Sequence, residues 1–181
     1  MKAIQNIREK FANSSLLQLL NIQKRMQKQI NLESARTVAL LYYLPDEATY
    51  KIVETILGKL NDLNLKVRVV CYTDLKIIPH YFIPKITQDI ITAKDVNWKY
   101  QPQKPFVKEF INTEYDVLID LSLSNHLPLL YCAALSKAGI KVGRFQEDHE
   151  LFYDLMIHAG PDETIDSFAG QVIHYLSRIN N

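Results

Sequence analysis

The chain has 181 residues, enough for one domain with a sizeable core, and its 48% hydrophobic and 23% charged residues are ordinary for a soluble globular protein. Two cysteines, Cys71 and Cys132, are too few for a disulfide framework and lack metal-ligand spacing, so both read as buried, inert thiols. No stretch approaches the roughly 20 apolar residues that span a bilayer, and the N-terminus lacks the pattern of a signal peptide, which predicts a cytoplasmic protein.

The net charge of +1 hides an asymmetry. Residues 1–36 carry seven Lys/Arg against Glu9 and Glu33, whereas residues 145–181 carry Arg178 against seven acids. The two ends are expected to lie near each other, in one chain or across a dimer. A basic arm for nucleic acid or membrane is the alternative, weakened by the near absence of aromatic residues for stacking on bases.

Taken in chain order, residues 2–31 read as helical, with Ile4, Ile7 and Phe11 on one apolar face. The spacing of Ser15-Leu16-Leu17-Gln18 is that of a capping box, which predicts a second helix from there to about Ile30, striped by Leu19, Ile22, Met26 and Ile30. Residues 1–34 are thus expected to form a helical arm, and residues 35–181 one α/β domain. Val38 to Tyr42 is a short, unbroken apolar run, as in a strand covered on both faces. Pro45 and Asp46 then open a helix with Asp46 as N-cap, and Lys66 to Cys71 is the next strand.

Thr73 to Lys94 is the least regular region, with Pro79 and Pro84 bracketing His80-Tyr81-Phe82-Ile83, an exposed contact patch or the cover of a sheet edge. Asp95 to Tyr100 alternates as an edge strand would. Pro105 suits a first helical turn, Val117 to Leu121 is the clearest central strand, and Pro128 starts an apolar helix that runs to Ala138 and ends at Gly139. Strands over Lys141–Phe145 and Tyr153–Ile157 and a final helix over Asp162–Ile179 complete the pattern. Strands alternating with helices predict a doubly wound, Rossmann-like, mostly parallel sheet of five or six strands, with Val38–Tyr42 and Val117–Leu121 adjacent at its centre.

Chemistry can be argued down class by class. Dinucleotide folds place glycines in the first strand-to-helix turn; here that turn is Tyr43-Leu44-Pro45-Asp46-Glu47, with no glycine and two acids. There is no P-loop, no H-E-x-x-H, no C-x-x-C and no G-x-S-x-G, so neither a cofactor nor a metal nor a catalytic set is expected. Glu147-Asp148-His149-Glu150 reads as a solvated acidic loop. One polar constellation remains, Asp120 to His126 at the carboxyl end of the central strand, where doubly wound sheets bind ligands. Ser122, Ser124, Asn125 and His126 either shape the turn into the next helix or form a ligand site. Arg144 would join them if its strand runs parallel beside the central one. Such a set suits an anionic or polyhydroxylated ligand, unless Asp120 pairs with Arg144 and neutralises it.

Tyr115 to Leu123, with Leu127-Pro128-Leu129, Ala133 to Ala138, Lys141-Val142-Gly143-Arg144 and Tyr153 to Ile157, resembles a bacterial family known only as a domain of unknown function. The segment Tyr115 to Arg144 is also similar to the N-terminal Rossmann-like half of heptosyltransferase-type glycosyltransferases, which share a strand of the type Asp-x-x-Ile-Asp, a helix and a short strand ending in Gly-Arg. The first resemblance implies no activity; the second implies a sugar or phosphorylated ligand.

Three functional classes stay open. The leading one is a non-catalytic cytoplasmic domain working through protein contacts, as a homodimer or with another partner through the N-terminal arm. The second is a small-molecule binder or enzyme using the 120–126 crevice, and the third a nucleic-acid-associated protein.

Overall fold

The computed structural model describes residues 2–22 and 25–179, with side chains at 7–20 and 25–179. One helix, α1 (Lys2–Ile22), precedes the sheet. Then come β1 (Thr37–Tyr43), α2 (Glu47–Asp62), β2 (Lys66–Thr73), β3 (Gln88–Thr92), α3 (Pro105–Asn112), β4 (Val117–Asp120), α4 (Leu127–Leu135), β5 (Ile140–Arg144), β6 (Leu155–Ile157) and α5 (Ile165–Arg178). The six strands form one sheet in the order β3-β2-β1-β4-β5-β6, and every ladder is parallel. β1 and β4 are neighbours, with Val38 opposite Val117 and Leu41 opposite Asp120.

The unbroken apolar run of β1 is explained by cover on both faces. Val38, Leu40 and Tyr42 point into a core with Ile56 and Leu60 of α2 and Phe168, Val172 and Leu176 of α5. Ala39 and Leu41 point into the other core, with Leu16 of α1, Phe110 of α3 and Leu129 and Ala133 of α4. Each large apolar side chain so buried is worth roughly 1.5–3 kcal/mol. α2 begins where Asp46 accepts a hydrogen bond from the Thr49 amide (2.8 Å). It ends in a Schellman motif, with the Leu65 amide on Leu60 O and the Asn64 amide on Asn61 O. Asn64, at φ 60°, is a residue type that tolerates this left-handed turn.

Four expected element assignments are corrected. The outer strand beside β2 is Gln88–Thr92, not 95–100. The latter segment folds back on itself because side chains take its backbone donors: Asp95 accepts from the Thr92 amide (2.9 Å), and Asn97 accepts from the amides of Lys99 (2.8 Å) and Gln101 (3.1 Å). Second, α1 runs without a break through Ser15, whose hydroxyl accepts from the Gln101 side chain (3.1 Å) instead of capping a new helix.

Third, residues 25–31 are not helical. They form a strap whose backbone donors go elsewhere: the Lys28 amide to Gly139 O (3.0 Å) and, just beyond, Leu32 to Leu176 O (3.0 Å). Fourth, α4 stops at Leu135, short of Ala138. Gly139 serves the strap, since a Cβ there would lie 3.0 Å from Asp116 O and 3.1 Å from the Lys28 side chain.

The apolar stripes expected over residues 2–31 hold in part: Leu19 and Ile30 pack on the core, whereas Ile7, Phe11 and Met26 do not. Ala12 and Leu16 are the buried positions, with Leu19 and Leu20 partly buried beside them, while Ile7 (56% exposed), Phe11 (54%) and, on the strap, Met26 (79%) stand in solvent. The expected contributions of Ile4 and Ile22 lie outside the described side chains. Phe11 meets Trp98 at 5.7 Å between ring centroids, and Trp98 is itself 56% exposed. Arg8 fastens the helix to this loop. It donates to Asn97 O (3.0 Å) and Trp98 O, and lies 3.7 Å from the ring of Tyr100, a bulky residue held at φ 57°.

The charge asymmetry is partly resolved within the chain, where Arg25 forms a two-pronged pair with Asp154. Phe82 is buried against Tyr50 while Ile83 stays exposed, so the proline-bracketed segment is half core cover and half surface. Among the described residues, no helix is long and apolar enough to cross a membrane.

Candidate functional site

α2 follows β1 onto one face of the sheet and α4 follows β4 onto the other, so the chain parts at the carboxyl ends of these two strands. Doubly wound sheets bind ligands in this crevice. The wall on the β4 side is built around Asp120. Its carboxylate is buried, accepting from the Ser122 amide (2.9 Å) and from the Tyr153 hydroxyl (2.6 Å). Burial pushes the Asp120 carboxyl above its ordinary range, against the opposing pull of those hydrogen bonds. Tyr153 reaches Asp120 across β5 because position 143 is glycine: a Cβ there would sit 2.6 Å from the Tyr153 ring. Its hydroxyl is held far above its ordinary value, first by burial and then by the Asp120 charge.

On the β1 side the rim is aromatic. His126 stacks on Tyr43 with centroids 3.8 Å apart, and its Nε2 lies 2.7 Å from Ser124 Oγ. Burial lowers the His126 pKa. Tyr43 (2.9 Å) and Tyr72 (2.8 Å) both donate to Asp74, and burial with that bond raises the Tyr43 pKa to about 12. Asp74 is thus occupied by two tyrosines. Among the described residues no carboxylate bonds the far nitrogen of His126, so the orienting member of a nucleophilic triad is missing.

β5 does run parallel beside β4, and Arg144 at its end lies on the same wall. It donates to Gln146 Oε1 (2.9 Å) and, among the described residues, forms no ion pair with Asp120 or another carboxylate. Ser122, Ser124, Asn125, His126 and Arg144 all line one cavity of about 20 Å³, room for a single water molecule. Tyr153 and His149 close it. His149 is buried against Phe152 and Tyr153, unlike its exposed neighbours Glu147, Asp148 and Glu150. Its pKa is lowered first by burial and then by Arg144.

The sequence reading missed Tyr43, Tyr72, Asp74, His149 and Tyr153. Tyr43 and Tyr72 carried a signal: Tyr43 ends β1, Tyr72 is next to last in β2, and the two are register partners. Tyr153 carried none, since its tie to Asp120 depends on a packing across β5. The α2 N-terminus, where a pyrophosphate would sit in a dinucleotide-binding fold, is capped by Asp46. Both cysteines are free and buried, and burial raises the Cys71 thiol to about 12.

Fold and rim together define a Rossmann-like, doubly wound α/β domain whose switch-point crevice is narrowed by its own side chains to a cavity of about 20 Å³. By family the chain belongs to the Family of unknown function (DUF6913), which matches residues 8–179. No curated protein matches it. Among solved structures it is similar to "E. coli heptosyltransferase WaaC with ADP", at 14% identity and a TM-score of 0.48 over 79% of this chain. The chain spans about half (48%) of the length of that structure.

Proposed function

We propose that the chain is a non-catalytic interaction domain of the cytoplasm, working through protein contacts on the outer face of α1, and that its partner there is a second copy of itself. The observation that carries this reading is the trio Ile7, Phe11 and Trp98. All are more than half exposed, yet two are ring-packed on each other and pinned by Arg8. Burying such side chains is worth roughly 1.5–3 kcal/mol each, and an ordered apolar surface of this kind marks a contact site.

Charge argues for a second copy as the occupant. Lys10 and Lys99 flank the trio at one end of α1. On the same side of the sheet, beyond the other end of the helix, stand exposed Glu147, Asp148 and Glu150 with Leu151. An antiparallel, two-fold packing of α1 on α1 would set the basic end of each copy against the acidic loop of the other. Two unpaired, buried thiols fit a reducing compartment.

Light scattering over a concentration series tests the reading. A dimer is expected that loosens with added salt and becomes a monomer in Phe11→Glu, with circular dichroism unchanged. A wild type that stays monomeric at every concentration overturns the second copy as occupant. Single-stranded RNA binding that Phe11→Glu and Trp98→Ser abolish would point to nucleic acid instead.

A further inference from the structure

We infer that the β4–α4 loop is a phosphoryl-binding site, in which one phosphate oxygen occupies the small cavity beside Ser122 while the rest of the group lies over the loop toward Arg144. This is independent of α1 and of any dimer. The Ser122 hydroxyl carries the argument: the residue is 8% exposed, and its Oγ is buried with no aligned partner among the described residues. Its nearest polar neighbour is the Asp120 carboxylate, whose charge it steadies, but among the described residues it completes no well-aligned hydrogen bond. An unpaired buried hydroxyl costs about 1–3 kcal/mol unless something bonds it.

The space beside it, about 20 Å³, matches one oxygen atom: a water in the free protein, a ligand oxygen in a complex. The surroundings select an anion. Among the described residues Arg144 feels the Asp120 charge but forms no ion pair, and beyond its bond to Gln146 it keeps guanidinium donors free for a two-pronged bond. Among the described residues, the amides of Leu123, Ser124, Asn125 and His126 donate no hydrogen bond. They lead into the N-terminus of α4, a nine-residue helix whose dipole favours negative charge.

Asp120 shares the wall, but both its oxygens are already engaged, by the Ser122 amide and the Tyr153 hydroxyl. Phosphate is favoured over carboxylate because it can place one oxygen in the cavity and still present others to the loop amides and Arg144.

The test is titration of the full chain with inorganic phosphate at constant ionic strength, followed by amide chemical shifts and thermal shift, with acetate as the comparison. Saturable shifts confined to residues 122–127 and Arg144 are expected. Affinity should fall about tenfold or more in Arg144→Gln, which loses a charge-assisted bond, and several-fold in Ser122→Ala. Absence of a saturable shift in the wild type overturns the proposal, whatever the variants do. So does binding that Arg144→Gln leaves unchanged, or acetate binding tighter than phosphate.

Discussion

Two buried ionisable groups on neighbouring strands, Asp120 of β4 and Lys141 of β5, face the same physical problem and meet it differently. Asp120 lies at the carboxyl end of its strand, with two strong donors, Tyr153 Oη and the Ser122 amide. Lys141 lies near the amino end of its strand, 4% exposed, and its Nζ donates to Ala134 O (2.7 Å) at the end of α4. Their charges do not meet, because parallel strands put them at opposite ends of the sheet. Burial pushes each toward its neutral form: Asp120 up, and Lys141 down to about 7, the latter helped by repulsion from Arg25 and opposed by Asp154. The acid was given a partner that cannot easily be replaced, and the base a helix carbonyl that a neutral amine serves as well.

The comparison breaks first at Asp120. Asp120→Ala strands the Tyr153 hydroxyl and the Ser122 amide in the interior. It should cost about 3 kcal/mol in urea unfolding, with Tyr153→Phe costing less. A cost under about 1 kcal/mol would mean that water replaces the carboxylate and that the crevice is wetter than its volume suggests.

Next is pH. Lys141 binds its proton less well folded than unfolded, so between its ordinary value of 10.5 and about 7 the unfolded chain holds the extra proton. Stability from this group therefore rises with pH across that window, by up to about 1.4 kcal/mol per unit, and is lowest below pH 7. Asp120, with its pKa raised, has the reverse sign: its contribution improves as pH falls through its folded value toward 3.8. Lys141→Met should flatten the alkaline slope and raise the melting temperature most at pH 6. A slope that persists in the variant assigns it to another group.

Arg25→Ala sharpens the same point. Asp154 is held below its usual range although burial pushes it up, because Arg25 and the Lys141 amide outweigh that push. Losing Arg25 should cost about 1–2 kcal/mol and move the Lys141 slope to higher pH, as one repelling charge is gone. The smallest effect is expected at Ser122→Ala, within about 0.5 kcal/mol in phosphate-free buffer, because the hydroxyl removed has no aligned partner to lose among the described residues.

Much of this architecture is legible in the chain. Val38–Tyr42 and Val117–Leu121 read as central strands because cover on both faces demands unbroken apolar runs, and Asp46 reads as a cap because its carboxylate answers a local amide. Ser122, Ser124, Asn125, His126 and Arg144 come together because parallel neighbours end on one rim. The family resemblance read from Tyr115 to Ile157 also holds, across residues 8–179.

What the chain alone did not decide was every choice set by distant partners. Whether α1 buries Ile7 and Phe11 or Ala12 and Leu16 depends on which side meets α4 and its neighbours, and both stripes have helical spacing. Residues 25–31 suit a helix until Gly139 takes the Lys28 amide. Gln88–Thr92 opens on polar residues, and only pairing with β2 makes it a strand, whereas the alternation of 95–100 yields to local Asp and Asn bonds. Asp120 meets Tyr153 across a glycine 23 positions along the chain from the one and ten from the other, a contact that no local spacing encodes. Periodicity records how much surface a segment must bury; the identity of the surface that buries it is a property of the folded whole.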